Sequence, residues 1–249
     1  MSSGFFVPLF AAFGLVLGSF ANVLILRYGS KNWVGGRSKC PRCKKVLRWY
    51  DLFPVASFVM LGGKCRHCGK PISPQYPLVE LASAGVFLFA YARIPDAPLL
   101  AALSGVILYM LLVTAIVDAR HRQIPDVFSI VIAVAAVLSV ALYGSWWDAV
   151  LGMATGAGWF GWQWLLSRGK WVGSGDILLA GALGLWLGFA PTVAMLVLAY
   201  GIGAAFAGAL LLTGTVRLKN TRLAFAPFIA AGTFVSFLGA AQWYLSLLR

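Results

Sequence analysis

Long apolar runs separated by short polar segments make up most of this sequence, and they limit what the chain can fold into. Hydrophobic residues fill 61% of its 249 positions, charged residues fill 11%, and the mean hydropathy is +0.86. A membrane-spanning helix needs about 20 mostly apolar residues. We therefore expect an all-α polytopic membrane protein with about eight transmembrane helices, near residues 5–26, 77–93, 98–117, 127–143, 149–167, 177–190, 192–213 and 225–246. Pro191 interrupts the run from 177 to 213 and is expected to separate the sixth span from the seventh.

The positions of the cations predict how the spans are oriented. Lys and Arg number 20 against 7 Asp and Glu. The cations cluster in residues 27–70, 120–122, 168–170 and 217–222. Loops rich in Lys and Arg stay cytoplasmic, so we expect these four segments inside, both termini outside, and only Arg93 and Arg249 as outer cations. The membrane topology therefore accounts for the positive charge. No nucleic-acid partner is expected, because a nucleic-acid-binding surface needs aromatics interleaved with cations on a folded basic domain.

Three segments are expected along the chain. No cation precedes the first apolar run, and the run is too long for a cleaved signal peptide, so residues 1–26 are expected to form a retained first transmembrane span. Residues 27–76 are expected to form a cytoplasmic loop that holds all four cysteines. Residues 77–249 are expected to form a single helical membrane domain.

The four cysteines occur as two C-x-x-C pairs, Cys40 with Cys43 and Cys65 with Cys68. Two such turns can supply the four thiolates of a tetrahedral zinc site, and a site filled by four protein ligands is structural. Four unrelated buried cysteines would not need this spacing, and a redox motif would need only one pair. We expect His67 to be a solvated loop residue, and disulfides are not expected in a cytoplasmic loop. Metal binding is expected to stabilise a loop with so little apolar surface.

Only seven residues of the chain are acidic. Ionised carboxylates at bilayer depth cost free energy and usually serve a function. The predicted topology therefore separates the acids of the outer loops from those on the cytoplasmic side. Asp96 and Asp148 fall in outer loops, where they are expected to be solvated or to cap helices. The remaining five, on the cytoplasmic side, are Asp51, Glu80, Asp118, Asp126 and Asp176.

Asp118 ends one apolar run, and Asp176 begins another after the glycine-rich segment Gly173-Ser-Gly175. Both are expected near the inner membrane surface, where two carboxylates that share a proton can activate water and polarise a scissile carbonyl. The alternative for Asp118 is a charge balanced by a neighbouring arginine. Asp126 follows Pro125 and is interpreted as an N-terminal helix residue favoured by the helix dipole. The glycines are expected to admit a substrate backbone and to adopt unusual conformations.

Several motifs together resemble a known family. They are Gly18-Ser-Phe-Ala-Asn22-Val, the Trp49-Tyr-Asp-Leu-Phe-Pro54 stretch and its flanking cysteine pairs, Val79-Glu80, Asp118 with Ile124-Pro-Asp126, Gly173-Ser-Gly-Asp176, and Ala226-Pro-Phe228. The resemblance runs nearly end to end and is to the bacterial type IV prepilin peptidases, membrane aspartic proteases of the G-x-G-D type that also act as N-methyltransferases.

The resemblance implies that Asp118 and Asp176 are the catalytic pair. It implies an enzyme of the bacterial inner membrane that cleaves a short leader from prepilins or pseudopilins on the cytoplasmic side. S-adenosylmethionine would then donate a methyl group to the new N-terminus. Glu80 is a candidate for holding the liberated ammonium, with pairing to loop cations as the alternative, and Gly173 and Gly175 are candidate substrate contacts.

Other readings of the same residues remain open at this stage. A proton-coupled transporter with a zinc-bearing loop also uses paired membrane aspartates, although transporters tend to place them near the midplane between internal repeats. A peptidase without methyl transfer and a non-enzymatic assembly scaffold are further alternatives. Membrane lipid surrounds the chain in each of these readings, and the sequence leaves the oligomeric state open.

Overall fold

The computed structural model of the protein describes residues 3–30, 33–213 and 223–247. Regular structure in these residues is helical, with two isolated β-bridges in the cysteine segment. The helices are α1 (Ser3–Arg27), α2 (Ala56–Met60), α3 (Gln75–Arg93), α4 (Pro98–His121), α5 (Asp126–Tyr143), α6 (Trp146–Ser167), α7 (Ser174–Leu187), α8 (Phe189–Leu212) and α9 (Ala226–Leu247), and a 3-10 turn covers Trp49–Leu52. The expectation of an all-α chain is therefore confirmed.

Four of the described helices are long and apolar enough to cross a membrane. They are Gly4–Arg27, Pro98–His121, Asp126–Tyr143 and Phe189–Leu212, and two shorter apolar helices are Ser174–Leu187 and Ala226–Gly239. These helices make the chain a multi-pass membrane protein, and the count of eight spans stays a prediction. The expected inner loop at 215–222 lies outside the described residues, as does Arg249.

The break between α7 and α8 lies at Gly188, three residues before the predicted break at Pro191. Gly188 has φ +79°, a left-handed conformation that favours glycine. Asp148 Oδ1 accepts a hydrogen bond from the amide of Phe189 at 3.0 Å, so Asp148 caps α8. Pro191 lies in the first turn of α8, where proline is tolerated because the amide has no acceptor within the helix. The predicted break at Pro191 was wrong, because this proline lies inside the first turn of α8.

The chain divides into two compact units, Met1–Ala92 and Arg93–Arg249. In the first unit, α1 packs antiparallel against α3 at two glycines. A Cβ on Gly14 would lie 2.6 Å from the Cα of Ala84, and one on Gly18 would lie 2.6 Å from the Cα of Glu80. Small residues let the two backbones approach this closely. The division into segments 1–26, 27–76 and 77–249 stays a prediction.

The second unit holds α4 to α9, and its α6–α7 contact also depends on glycine. A Cβ on Gly152 of α6 would lie 2.2 Å from the carbonyl oxygen of Gly184 of α7. One turn further along α6, a Cβ on Gly156 would lie 2.3 Å from the carbonyl oxygen of Ala180. The close α6–α7 contact holds the helix that begins with the Gly173–Asp176 motif.

Candidate active site and metal centre

The four cysteines form one cluster. Their sulfur atoms all lie within 4.8 Å of one another, and all four are free thiols. Cys40 and Cys65 are buried, and Cys43 and Cys68 are half-buried. Four sulfur donors at this spacing suit a single tetrahedral metal ion with thiolate ligands. The predicted four-cysteine site is confirmed as a group that can hold a metal ion.

The two cysteine turns have the same local geometry. Lys44 donates its amide hydrogen to the carbonyl of Cys40, and Gly69 donates to that of Cys65, each at 2.9 Å. Lys44 and Gly69 both have a left-handed backbone, with φ 60° and 66°. The backbone amide of Cys43 holds the pKa of Cys40 at about 7, against the opposing effect of burial. Amide hydrogens directed at sulfur favour the thiolate form that a metal binds.

Asp51 connects the two parts of the cysteine loop. Its side chain is 3% exposed, and its Oδ1 lies 2.8 Å from Nε of Arg66, in the second cysteine turn. Its Oδ2 accepts a hydrogen bond from the amide of Arg48 at 3.2 Å. The guanidinium of Arg66 also lies over the ring of Tyr50, 5.1 Å from its centroid. Sequence reasoning assigned Asp51 no role, although it is the single acid within residues 27–76.

Asp118 lies at the C-terminal end of α4 and is 5% exposed. Its Oδ2 accepts a hydrogen bond from the amide of Ala226 at 3.0 Å, and the amide of Phe225 is a second donor. The first amides of a helix have no acceptor within it, and the helix dipole favours a negative charge there. Asp118 therefore caps α9, and these partners are backbone amides rather than the arginine of the alternative interpretation.

Asp176 is the third residue of α7 and is half-buried. Its Oδ2 accepts a hydrogen bond from the amide of Gly173 at 3.0 Å, so the side chain caps its own helix. The carboxyl groups of Asp176 and Asp118 interact electrostatically. The fold thus brings together two acids that are 58 positions apart in the sequence and that hydrogen-bond to different helix N-termini. Asp126 is exposed as the first residue of α5.

Gly175 is required by packing rather than by backbone conformation. Neither Gly173 nor Gly175 is among the residues with positive φ, which contradicts the expectation of an unusual conformation. A Cβ on Gly175 would lie 2.9 Å from the Cβ of Ile124, whereas a Cβ on Gly173 would lie 3.4 Å from Oδ2 of Asp176. The segment after α4 therefore packs directly against the start of α7. The proposed contact of these glycines with substrate stays a prediction.

We expect Gly175→Ala to lower the rate of any reaction that uses Asp176 by about 10- to 100-fold, because moving a positioned group by an ångström has effects of this size. The new methyl group would displace Ile124 or the first turn of α7. Gly161→Ala is the matched control, because a Cβ at this position of α6 would meet no atom within 4 Å, and we expect it to stay within about threefold of wild type. Steady-state rates measure both, and equal losses would contradict the packing argument.

Glu80 is a buried carboxyl group on α3, 7% exposed. Its Oε2 accepts a hydrogen bond from the amide of Val55 at 2.7 Å, and the hydroxyl of Ser19 on α1 also donates to it. Val55 has φ 58° and precedes α2. These partners are an amide and a hydroxyl, not the loop cations of the alternative interpretation. Glu80 joins α1, α3 and the cysteine loop.

Two family models match the chain in sequence. Residues 12–94 match the Bacterial Peptidase A24 N-terminal domain, and residues 105–208 match the type IV leader peptidase family. An Escherichia coli protein called "Type 4 prepilin-like proteins leader peptide-processing enzyme" is 33% identical over 94% of this chain and 92% of its own length. The chain belongs to the type IV leader peptidase family. This result confirms the family resemblance of the motifs.

Other members of the type IV leader peptidase family are similarly related to this chain. A Bacillus subtilis "Prepilin leader peptidase/N-methyltransferase" is 35% identical over 91% of both chains. A Klebsiella pneumoniae protein of the same name is 37% identical over 75% of this chain and 87% of its own length. No solved structure matches the chain. None of these relatives is described as a transporter, so that alternative has no support.

Proposed function

We propose that this chain is an aspartic endopeptidase that removes the leader from prepilins or pseudopilins and then methylates the new N-terminus. The observation that carries the proposal is the pair Asp118 and Asp176, two carboxyl groups whose charges interact and which each accept an amide hydrogen bond at a helix N-terminus, within a chain that has only seven acids. The names of the family's curated members, which combine leader peptidase and N-methyltransferase, support both activities.

The pair suits peptide hydrolysis without further groups. Two carboxyl groups whose charges interact favour a state in which they share one proton, because two negative charges repel each other. The ionised partner takes a proton from the attacking water, and the protonated partner donates a hydrogen bond to the scissile carbonyl. The amide donors at Ala226 and Gly173 occupy one oxygen of each carboxyl group. These contacts fix the orientation of both carboxyl groups.

The cysteine cluster is proposed to hold one structural zinc ion. Four thiolates fill a tetrahedral site and leave no position for a substrate. S-adenosylmethionine supplies the methyl group for the second activity. A glycine-rich strand-turn-helix, the usual cradle for a nucleotide, does not occur among residues 3–30, 33–213 and 223–247, so we assign this cosubstrate no site.

The proposed topology has eight spans in the bacterial inner membrane, with the aspartates and the cysteine loop facing the cytoplasm. The cation clusters support this orientation. For α6, which is not among the four long apolar helices, exposed tryptophans at both ends support a transmembrane position. Trp147 and Trp164 are about 26 Å apart along the helix axis, close to the thickness of a hydrocarbon core, and interfacial tryptophans mark both surfaces of a membrane.

The experiment uses membranes that contain the full chain and a purified prepilin. We expect a shift to the cleaved size on a gel, followed by transfer of label from methyl-labelled S-adenosylmethionine to the cleaved product. Membranes without the chain are the control. Cleavage without transfer of label would show that methyl transfer is lost. If the membranes cleave no member of a panel of prepilins and pseudopilins, the proposal is refuted.

Glu80 is proposed to hold the new N-terminal ammonium for methylation. Its burial and its contact with the cysteine loop support this role. We expect Glu80→Gln to lower methylation of precleaved pilin about tenfold, because the amide keeps the shape but loses the charge that attracts an ammonium. Glu80→Asp is the control that keeps the charge. If Glu80→Gln cleaves and methylates at wild-type rates, Glu80 does not hold the ammonium.

A further inference from the structure

Three aromatic rings adjoin the amides that hold Asp118. Phe160 of α6, Tyr200 of α8 and Phe225, which immediately precedes α9, contact one another. The centroid distances are 6.1 Å for Phe160–Tyr200, 5.0 Å for Tyr200–Phe225 and 5.8 Å for Phe160–Phe225. All three distances fall in the range of favourable aromatic pairs. The rings thus join two helices to the start of a third.

The orientation of Tyr200 is fixed at its polar end as well. Its hydroxyl donates a hydrogen bond to Oε1 of Gln163 at 2.9 Å. Gln163 lies on α6, one turn from Phe160, so α6 contacts Tyr200 through both a ring and an amide. A half-buried tyrosine held at both ends gives Phe225 a rigid surface to pack against.

The backbone of Phe225 takes part in the first turn of α9. Its carbonyl accepts hydrogen bonds from the amides of Phe228 at 3.0 Å and Ile229 at 3.2 Å, the first turn of the helix. Its own amide and that of Ala226 are the two donors to Asp118. A rotation of the Phe225 backbone would therefore move both donors at once.

We propose that Phe225 and Tyr200 are positioning residues for leader cleavage, whose ring contacts fix the first amides of α9 against Asp118. The inference rests on the proposed function, because it requires that Asp118 take part in cleavage. It assigns a role to the residue before the Ala226-Pro-Phe228 motif, which sequence reasoning left without one.

The test measures kcat and KM for prepilin cleavage by the full chain in membranes. We expect Phe225→Leu to lower kcat about 10- to 100-fold through misplacement of Asp118, with KM within about twofold because no substrate contact is lost. Phe225→Tyr keeps the ring and is expected to restore kcat. Tyr200→Leu should resemble Phe225→Leu, and Tyr200→Phe, which loses only the contact with Gln163, should have an intermediate effect.

Methylation of precleaved pilin and the amount of protein in the membrane report general damage to the fold. We expect both to stay at wild-type values in Phe225→Leu. A parallel loss of cleavage and methylation, a wild-type kcat in Phe225→Leu, or no restoration by Phe225→Tyr would each overturn the positioning role. An Asp118→Asn variant measured alongside separates the two proposals. If Asp118→Asn cleaves normally, the proposed function fails. If Asp118→Asn loses cleavage but Phe225→Leu cleaves normally, only the inference about Phe225 fails.

Discussion

Asp118→Asn and Asp176→Asn are each expected to lower the kcat of leader cleavage by about 100- to 10,000-fold, the usual contribution of general acid–base catalysis. Asparagine keeps the size of the side chain and its acceptor oxygen, so the hydrogen bonds from Ala226 and Gly173 can remain. It can neither take a proton from water nor share one with its partner. We expect the double variant to be no slower than the slower single variant, because residues that act as a unit are not additive.

The control for this prediction is Asp126→Asn. Asp126 follows Asp118 closely in the sequence but is an exposed first residue of α5, and loss of its interaction with the helix dipole costs only about 0.3–1 kcal/mol of stability. We expect cleavage by this variant to stay near wild type. Methylation of precleaved pilin by the Asp118→Asn and Asp176→Asn variants is expected to continue, since it needs no peptide hydrolysis. Normal cleavage by either single variant would contradict the proposed catalytic pair.

Loss of the metal is expected to have the largest effect on stability. Purified wild-type chain should contain about one zinc ion per molecule, and Cys65→Ser should contain none, because a four-thiolate site requires every ligand. Zinc binding supplies about 10–16 kcal/mol in small zinc domains, and the segment around the cysteines has little regular structure to replace it. Most of the eleven cations within residues 27–70 are trypsin sites, so we expect rapid cleavage there in Cys65→Ser and in wild type treated with a chelator.

His67→Ala is the matched control for the cysteine substitution. His67 lies between Cys65 and Cys68 and does not belong to the four-cysteine group. We expect this variant to keep its metal and its resistance to trypsin. Metal analysis of the purified proteins identifies the ion. Full metal content in Cys65→Ser, or loss of metal in His67→Ala, would show that the ligand set is wrong.

Local patterns were sufficient for much of the fold. A transmembrane helix depends on the hydropathy of the residues within it, so the apolar runs predict helices whose bounds the structure shifts by a few residues. The cysteine turns were equally readable, because Cys40 and Cys43 are three positions apart and the turn between them is local. The end of α7 was misplaced because a proline and a glycine only three residues apart both suggest a break. The contact of Asp148 with Phe189 at the start of α8 joins residues 41 positions apart.

The sequence by itself determined that this chain is a helical membrane protein with a four-cysteine cluster, and its motifs pointed to the family. Only the tertiary structure decided what surrounds each acid. Asp118 meets the start of α9 across 108 positions, and Gly175 packs against Ile124 across 51 positions. No local pattern encodes such pairs, because they depend on how whole helices pack. Helix packing places unpaired amides beside Asp118, and an aromatic cluster behind those amides gives Phe225 its role.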